Sequence, residues 1–138
     1  MPKVLIAPMT LANVQGDFVR VLRAGSFELV YPQHAHQMTE EELLPALRGI
    51  AASLAGSEPY TARVLDANPA LRVIARAGVG YDAVDLAAAT AHGVAVTITP
   101  GTNHDCVAEH TFSMILGLTR NLVAGVMVTA PPPPPTAS

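Results

Sequence analysis

Tryptophan is absent from this sequence, cysteine occurs once, and aromatic residues make up only 4% of it. Each shortage excludes something. A β-sandwich leans on aromatics to fill the space between its sheets, whereas a composition led by Ala, Val and Leu suits helices packed closely on a sheet. The lone Cys106 can form no internal disulfide and belongs to no zinc-ligand spacing, so a reducing, cytoplasmic setting is expected. Charge is scarce as well: 14% of residues are charged, the net charge is −3, and there is no basic run. Without a cationic stripe to neutralise phosphates, nucleic acid is not an expected partner.

What is present is a chain of 138 residues, half of them hydrophobic. That suffices for one domain with a real core, is too short for two full ones, and is too apolar for disorder over most of its length. Met1-Pro2-Lys3 leads into Val4-Leu5-Ile6, an apolar run too short for a signal peptide. Thr111 to Ala130 is mostly apolar, but Arg120 and Asn121 at its middle oppose burial in a membrane. Gly117 and Gly125 weaken it as a helix, so a buried helix followed by a tail is expected there.

Short β-branched runs alternate with helical stretches. Val4 to Ala7 reads as a first strand, and Leu11, Val14, Phe18, Val21 and Leu22 mark a helix over 11–23 that stops at Gly25. Phe27 to Val30 reads as a second strand. Thr39-Glu40-Glu41-Glu42 has the form of a capping box opening a helix that Pro45 should kink. Ile50 to Leu54, Leu71 to Ala75 and Val94 to Ile98 are further strands. Helices are expected over Thr61 to Ala67, Val84 to His92 and His104 to Leu122. The alternation implies a doubly wound α/β architecture, a parallel sheet covered on both faces. Pro131 to Pro135 can only be an extended polyproline stretch at a disordered end.

The fourth strand runs into Arg76-Ala77-Gly78-Val79-Gly80-Tyr81-Asp82-Ala83. Gly78-x-Gly80-x-x-Ala83 satisfies the relaxed dinucleotide fingerprint and stands between strand and helix as that fingerprint demands. Two features oppose a pyrophosphate there. The acid expected roughly 20 residues on, to hold the ribose, is replaced by Thr97-Ile98-Thr99-Pro100. Asp82 and Asp85 stand at the mouth of the next helix, where they repel a doubly charged group. The loop can still offer backbone N–H groups to a single carboxylate. Alternatively it is a tight turn that needs glycine for backbone reasons alone.

The stretch from Arg76 to Asp82, with Val84 to Thr90, Gly93-Val94-Ala95-Val96, Thr99-Pro100-Gly101-Thr102-Asn103 and Val107-Ala108-Glu109-His110, resembles the D-isomer-specific 2-hydroxyacid dehydrogenases, most closely the phosphoglycerate dehydrogenase branch. The match covers Leu71 to Leu122, and Ala55-Gly56-Ser57-Glu58-Pro59 extends it more loosely. The resemblance implies a flavodoxin-like substrate domain over 1–100, followed by a hinge and a long interdomain helix over 101–123, the first of an NAD-binding domain. Residues 124–138 then form the disordered Pro-rich tail. It further implies that Val79 and Gly80 present N–H groups to a substrate carboxylate, with Val79 also near the nicotinamide of NAD. Ser57 and Glu58 would face the substrate from the opposite side, and Asn103 would lie in the hinge. Ala83 and Ile98 depart from the family's usual Asn. The family's cofactor loop, ribose acid and catalytic Arg, Glu and His find no match in the chain, so no catalytic residue is assigned.

His34 and His36 share one side of an extended segment but have no third ligand nearby in sequence, and no metal is expected. His110 reads as a partly buried histidine, and Cys106 opens a helix without a base beside it. Three functions follow. The first is an NAD-dependent oxidoreductase fragment that binds a small 2-hydroxy or 2-oxo acid and turns nothing over alone. The second is a non-enzymatic module that binds such an acid, or that forms a homo-oligomer or another association through the 104–122 helix. The third is a dinucleotide binder using Gly78 to Ala83.

Overall fold

A computed structural model describes residues 1–12, 14–32 and 36–122. Five strands and five α-helices alternate: β1 (Lys3–Ile6), α1 (Asp17–Ala24), β2 (Glu28–Val30), α2 (Glu40–Ala46), β3 (Ile50–Ala55), α3 (Ala62–Ala67), β4 (Val73–Arg76), α4 (Leu86–Ala91), β5 (Ala95–Thr97) and α5 (His104–Thr119). The chain divides into two compact units, Met1–Gly101 and a second that begins at Thr102.

In the first unit all strand pairs are parallel and the strand order is β2-β1-β3-β4-β5. This is the flavodoxin-like order of a doubly wound sheet. Register puts Leu5 beside Ser53, Ser53 beside Ile74 and Ile74 beside Val96. Because side chains alternate along a strand, these residues share one face with Ala7, Ala55 and Arg76. That face meets Leu43 and Leu47 beside α2, Val64 and Leu65 of α3, and Ala89 of α4, and together they form the core. On the other face α1 covers the β1–β2 side through Val19, which is buried like Val4 and Ile6. Toward β3 and β4 that face is only half covered: Val4, Ala52, Leu54, Val73 and Ala75 line an apolar groove of about 250 Å³ with Leu22 and Phe27.

Helix starts follow local chemistry. Thr39 N–H donates to the Glu42 carboxylate at 2.8 Å, the capping box expected at α2. The α2 helix holds Pro45 one residue before its end at Ala46, where the missing N–H leaves the helix one backbone bond short. Thr61 accepts from Val64 N–H at 3.4 Å and Asp85 from Ala88 N–H at 2.9 Å, capping α3 and α4. Gly93, at φ +65°, turns the chain out of α4. The helix expected over 11–23 is shorter. A 3-10 turn covers Met9–Leu11, Gly16 is extended, and α1 begins only at Asp17, so Leu11 and Val14 fall in the connection. Glycine's backbone freedom opposes helix at position 16, and Asp17 suits the positive end of the helix that starts there.

The second unit contains α5, whose residues are exposed along its length where a buried helix was expected; Phe112 and Leu118 are 66% and 81% exposed. Among the described residues no helix is long and apolar enough to cross a membrane. The polyproline reading and the expected tail lie outside the described residues, as does His34.

Candidate functional site

In a parallel sheet every strand ends at the same edge, and loops from its carboxyl ends converge there. In this strand order the chain reverses its direction of growth between β1 and β3, and β3, which leads into the first site loop, borders that switch point. β3 ends at Ala55 and passes into Gly56-Ser57-Glu58, while its neighbour β4 ends at Arg76 and passes into Ala77 to Gly80. The loop with Ser57 and Glu58 and the loop with Val79 and Gly80 thereby follow adjacent strands. The two loops are tied together by backbone bonds. Ala77 N–H donates to Ala55 O at 2.8 Å, Tyr60 N–H to Ala83 O at 2.8 Å, and Asp85 N–H to Tyr60 O at 2.9 Å. From β5's side, Thr99 N–H donates to Gly78 O at 3.0 Å.

Gly78 and Gly80 do not need to be glycine for backbone reasons. Neither has a positive φ, in contrast to Gly93. A Cβ built on Gly78 meets nothing within 4 Å, and one on Gly80 meets only Asp82 Oδ2 at 3.7 Å, an ordinary contact. The side-chain space at both positions is open. Val79 between them is 42% exposed, and Ser57 in the loop after β3 is exposed. Of the two aspartates, Asp85 is absorbed as the cap of α4, whereas the Asp82 carboxylate stays beside Gly80.

Glu58 differs from a side chain that faces a ligand. It is only 2% exposed, and its carboxylate turns back to accept the Gly56 N–H at 2.6 Å. Position 56 leaves little room for more, since a Cβ there would stand 3.0 Å from Glu58 Oε1. Gln37 donates its side-chain amide to Ser57 O at 2.6 Å, so this loop is held from two directions.

Beneath the loops lies a buried polar group of residues. The Tyr60 hydroxyl and Ser53 Oγ are 2.6 Å apart, and Arg76 Nε donates to Gly80 O at 2.8 Å. Arg76 Nη1 is buried and has no hydrogen-bond partner among the described residues. Burial pushes the Tyr60 phenol well above its usual range; the hydrogen bond with Ser53 opposes this, the Glu58 charge adds to it and the Arg76 charge opposes it. In the sequence Arg76 stands out without a task, and no pattern points to Gln37, Ser53 or Tyr60. The one signal for Arg76 is an arginine ending an otherwise apolar strand. Gln37 sits in a segment without any periodic pattern.

Asn103 belongs to the second unit. It is exposed, it directly precedes α5, and its carbonyl accepts Val107 N–H at 2.9 Å without a side-chain cap. His36 sits 2.9 Å from Glu42, and no group of three metal-ligating residues occurs among the described residues. Cys106 is a free, exposed thiol.

Comparison with known proteins adds a family to this geometry. Residues 6–130 match the family model described as D-isomer specific 2-hydroxyacid dehydrogenase, catalytic domain. A glyoxylate reductase of Thermofilum pendens is 43% identical over 86 residues, covering 62% of this chain and 25% of that protein. A D-3-phosphoglycerate dehydrogenase of Mycobacterium tuberculosis is 48% identical over 63 residues, covering 46% of this chain and 12% of that protein. The structure of an NAD-dependent formate dehydrogenase from Staphylococcus aureus in complex with NAD superposes with a TM-score of 0.69 at 26% identity, over 91% of this chain and 40% of that one. The chain thus spans well under half the length of each of these relatives. With the family's own model running through the sheet, both loops and α5, this chain belongs to the D-isomer specific 2-hydroxyacid dehydrogenase family.

Proposed function

We propose that the first unit is the acid-binding part of an NAD-dependent oxidoreductase that interconverts 2-hydroxy and 2-oxo acids. The observation that carries this is the open space at Gly78 and Gly80. Two glycines that neither backbone angle nor crowding requires, at the carboxyl edge of a parallel sheet, are explained by a ligand that approaches the main chain closely. The Val79 and Gly80 N–H groups would meet its carboxylate, and Ser57 would face it across the gap. Glu58 would act from beneath, through Gly56, rather than by contact. Asn103 and α5 would carry the chain into the cofactor-binding part, with Val79 toward the nicotinamide.

NADH, when bound, would supply the hydride that reduces the 2-oxo acid, and NAD would take it up in the reverse direction. The glycine loop is a poor seat for its pyrophosphate, because the Asp82 carboxylate stands beside Gly80 and two negative groups repel. Tight cofactor binding by this chain alone is therefore not proposed, and neither is turnover; the expected setting is cytoplasmic. Titrating the isotopically labelled chain with glyoxylate should give saturable shifts of the Val79 and Gly80 amide signals. Absence of such shifts at 100 mM would overturn the reading. Oxidation of NADH by the 138-residue chain with glyoxylate would overturn the claim that it is inactive alone.

A second reading is favoured by α5. Its exposed Val107, Phe112, Met114, Ile115, Leu116 and Leu118 form an apolar surface of the kind that marks an association site, whether with a second copy or with a longer relative. A strict monomer by light scattering across a hundredfold concentration range would count against self-association.

A further inference from the structure

The charged side chains of the first unit are divided unevenly between the two edges of its sheet. Lys3, Arg48 and Arg72 stand at or just before the starts of β1, β3 and β4, which is the edge away from the candidate site. The carboxyl edge holds most of the acids, while Glu28, at the start of β2 and 3.6 Å from Lys3, stands at the other. Glu40, Glu41 and Glu42 open α2, and α2 is fixed to that edge by the Thr61 hydroxyl donating to Glu40 at 2.8 Å. Asp82 and Asp85 lie between the glycine loop and α4. Most of the arginine nitrogens that reach this edge are already engaged, the exception being the buried Arg76 Nη1, which has no partner among the described residues. Arg63 bonds Glu41, Arg20 on α1 bonds Asp17 at 3.2 Å, and the buried Arg76 donates to Gly80 O at 2.8 Å.

From this division we infer that the acid taken at the glycine loop carries a single negative charge, and that a phosphorylated acid is excluded by repulsion. The inference rests on the carboxylate reading proposed above and deepens it by naming the substrate class. One carboxylate can be met by the Val79 and Gly80 N–H groups. A phosphate on the same small molecule would bring about two further charges to an edge where Glu40, Glu41, Glu42, Asp82 and Asp85 outnumber the arginines and where Asp82 lies beside Gly80. Selection of this kind works by a built-in penalty against the wrong ligand as much as by attraction to the right one. The likeness to phosphoglycerate dehydrogenases is then a likeness of chain, with a different preference in charge.

D-glycerate and 3-phospho-D-glycerate differ only in the phosphate, and they test this directly. Each is titrated into the labelled 138-residue chain at one fixed ionic strength while the Val79 and Gly80 amides are followed. The expected result is saturable binding of glycerate and at least tenfold weaker binding of its phosphorylated form. Added salt should narrow that gap by screening, and Asp82→Asn should narrow it threefold or more. Equal or tighter binding of the phosphorylated acid would overturn the inference and leave the carboxylate reading standing. A gap that Asp82→Asn leaves unchanged in a folded variant would overturn charge as its cause. If neither acid moves the two amides, the carboxylate reading falls and this inference with it.

Discussion

Gly78 and Gly80 separate two demands that a glycine can answer. Where φ is positive or the space is filled, alanine destabilises the fold. Where neither holds, alanine removes only the freedom of the unfolded chain, which stabilises by about 0.4–1 kcal/mol. Gly78→Ala and Gly80→Ala are therefore expected to leave the urea midpoint unchanged or slightly raised, while acid affinity falls at least tenfold. A loss of stability above about 1 kcal/mol, the cost of a strained position, would return both residues to a purely structural role. Tyr60 and Ser53 make the contrasting case. Their 2.6 Å hydrogen bond is buried, so Tyr60→Phe strands the Ser53 hydroxyl and should cost about 1–3 kcal/mol by denaturant unfolding. Adding Ser53→Ala should recover part of that loss, because no polar atom is then left without its partner.

Among the elements, caps and pattern carried most of what was legible beforehand. Thr39 and Glu42 form the box their spacing announced, and every strand fell within two residues of its expected start. The long first helix failed because the apolar stripe through Leu11 and Val14 was read across Gly16, and a stripe cannot report where a backbone turns extended. The site was legible only in part, for a similar reason. Glycine spacing marks a loop, but whether Glu58 faces outward or inward depends on Gly56 and Gln37, which are brought to it by the fold. Caps also give clean tests. Asp85→Ala removes the bond from Ala88 N–H and should cost about 1 kcal/mol, with Asp85→Asn close to neutral. Glu42 is held down at about 2, first by the Thr39 N–H and then by the His36 side chain. A depressed carboxyl stabilises the fold above its unfolded value near 4.5, and that contribution is lost as pH falls toward 2. Glu42→Gln should accordingly flatten the acid limb of the stability curve over that range.

For the molecule as a whole, two surfaces and one buried phenol set its behaviour in solution. The half-covered sheet face and α5 both present apolar side chains to water. At the alkaline end, Tyr60 is raised above its ordinary value of 10, so the folded state keeps a proton that the unfolded state gives up. Its contribution is complete below pH 10 and declines as pH rises from there. Thermal unfolding followed from pH 8 to 11 should show a fall in midpoint that Tyr60→Phe reduces. The bonds that shape the site loops have one more property in common. Those from Gln37 to Ser57, Gly56 to Glu58, Tyr60 to Ala83, Arg76 to Gly80 and Thr99 to Gly78 all begin and end between residues 37 and 99. The core beneath them reaches outside that segment, since Leu5 and Ala7 belong to it and Ala7 N–H donates to Leu54 O at 2.9 Å, so damage to β1 would loosen loops that it never touches through their own bonds.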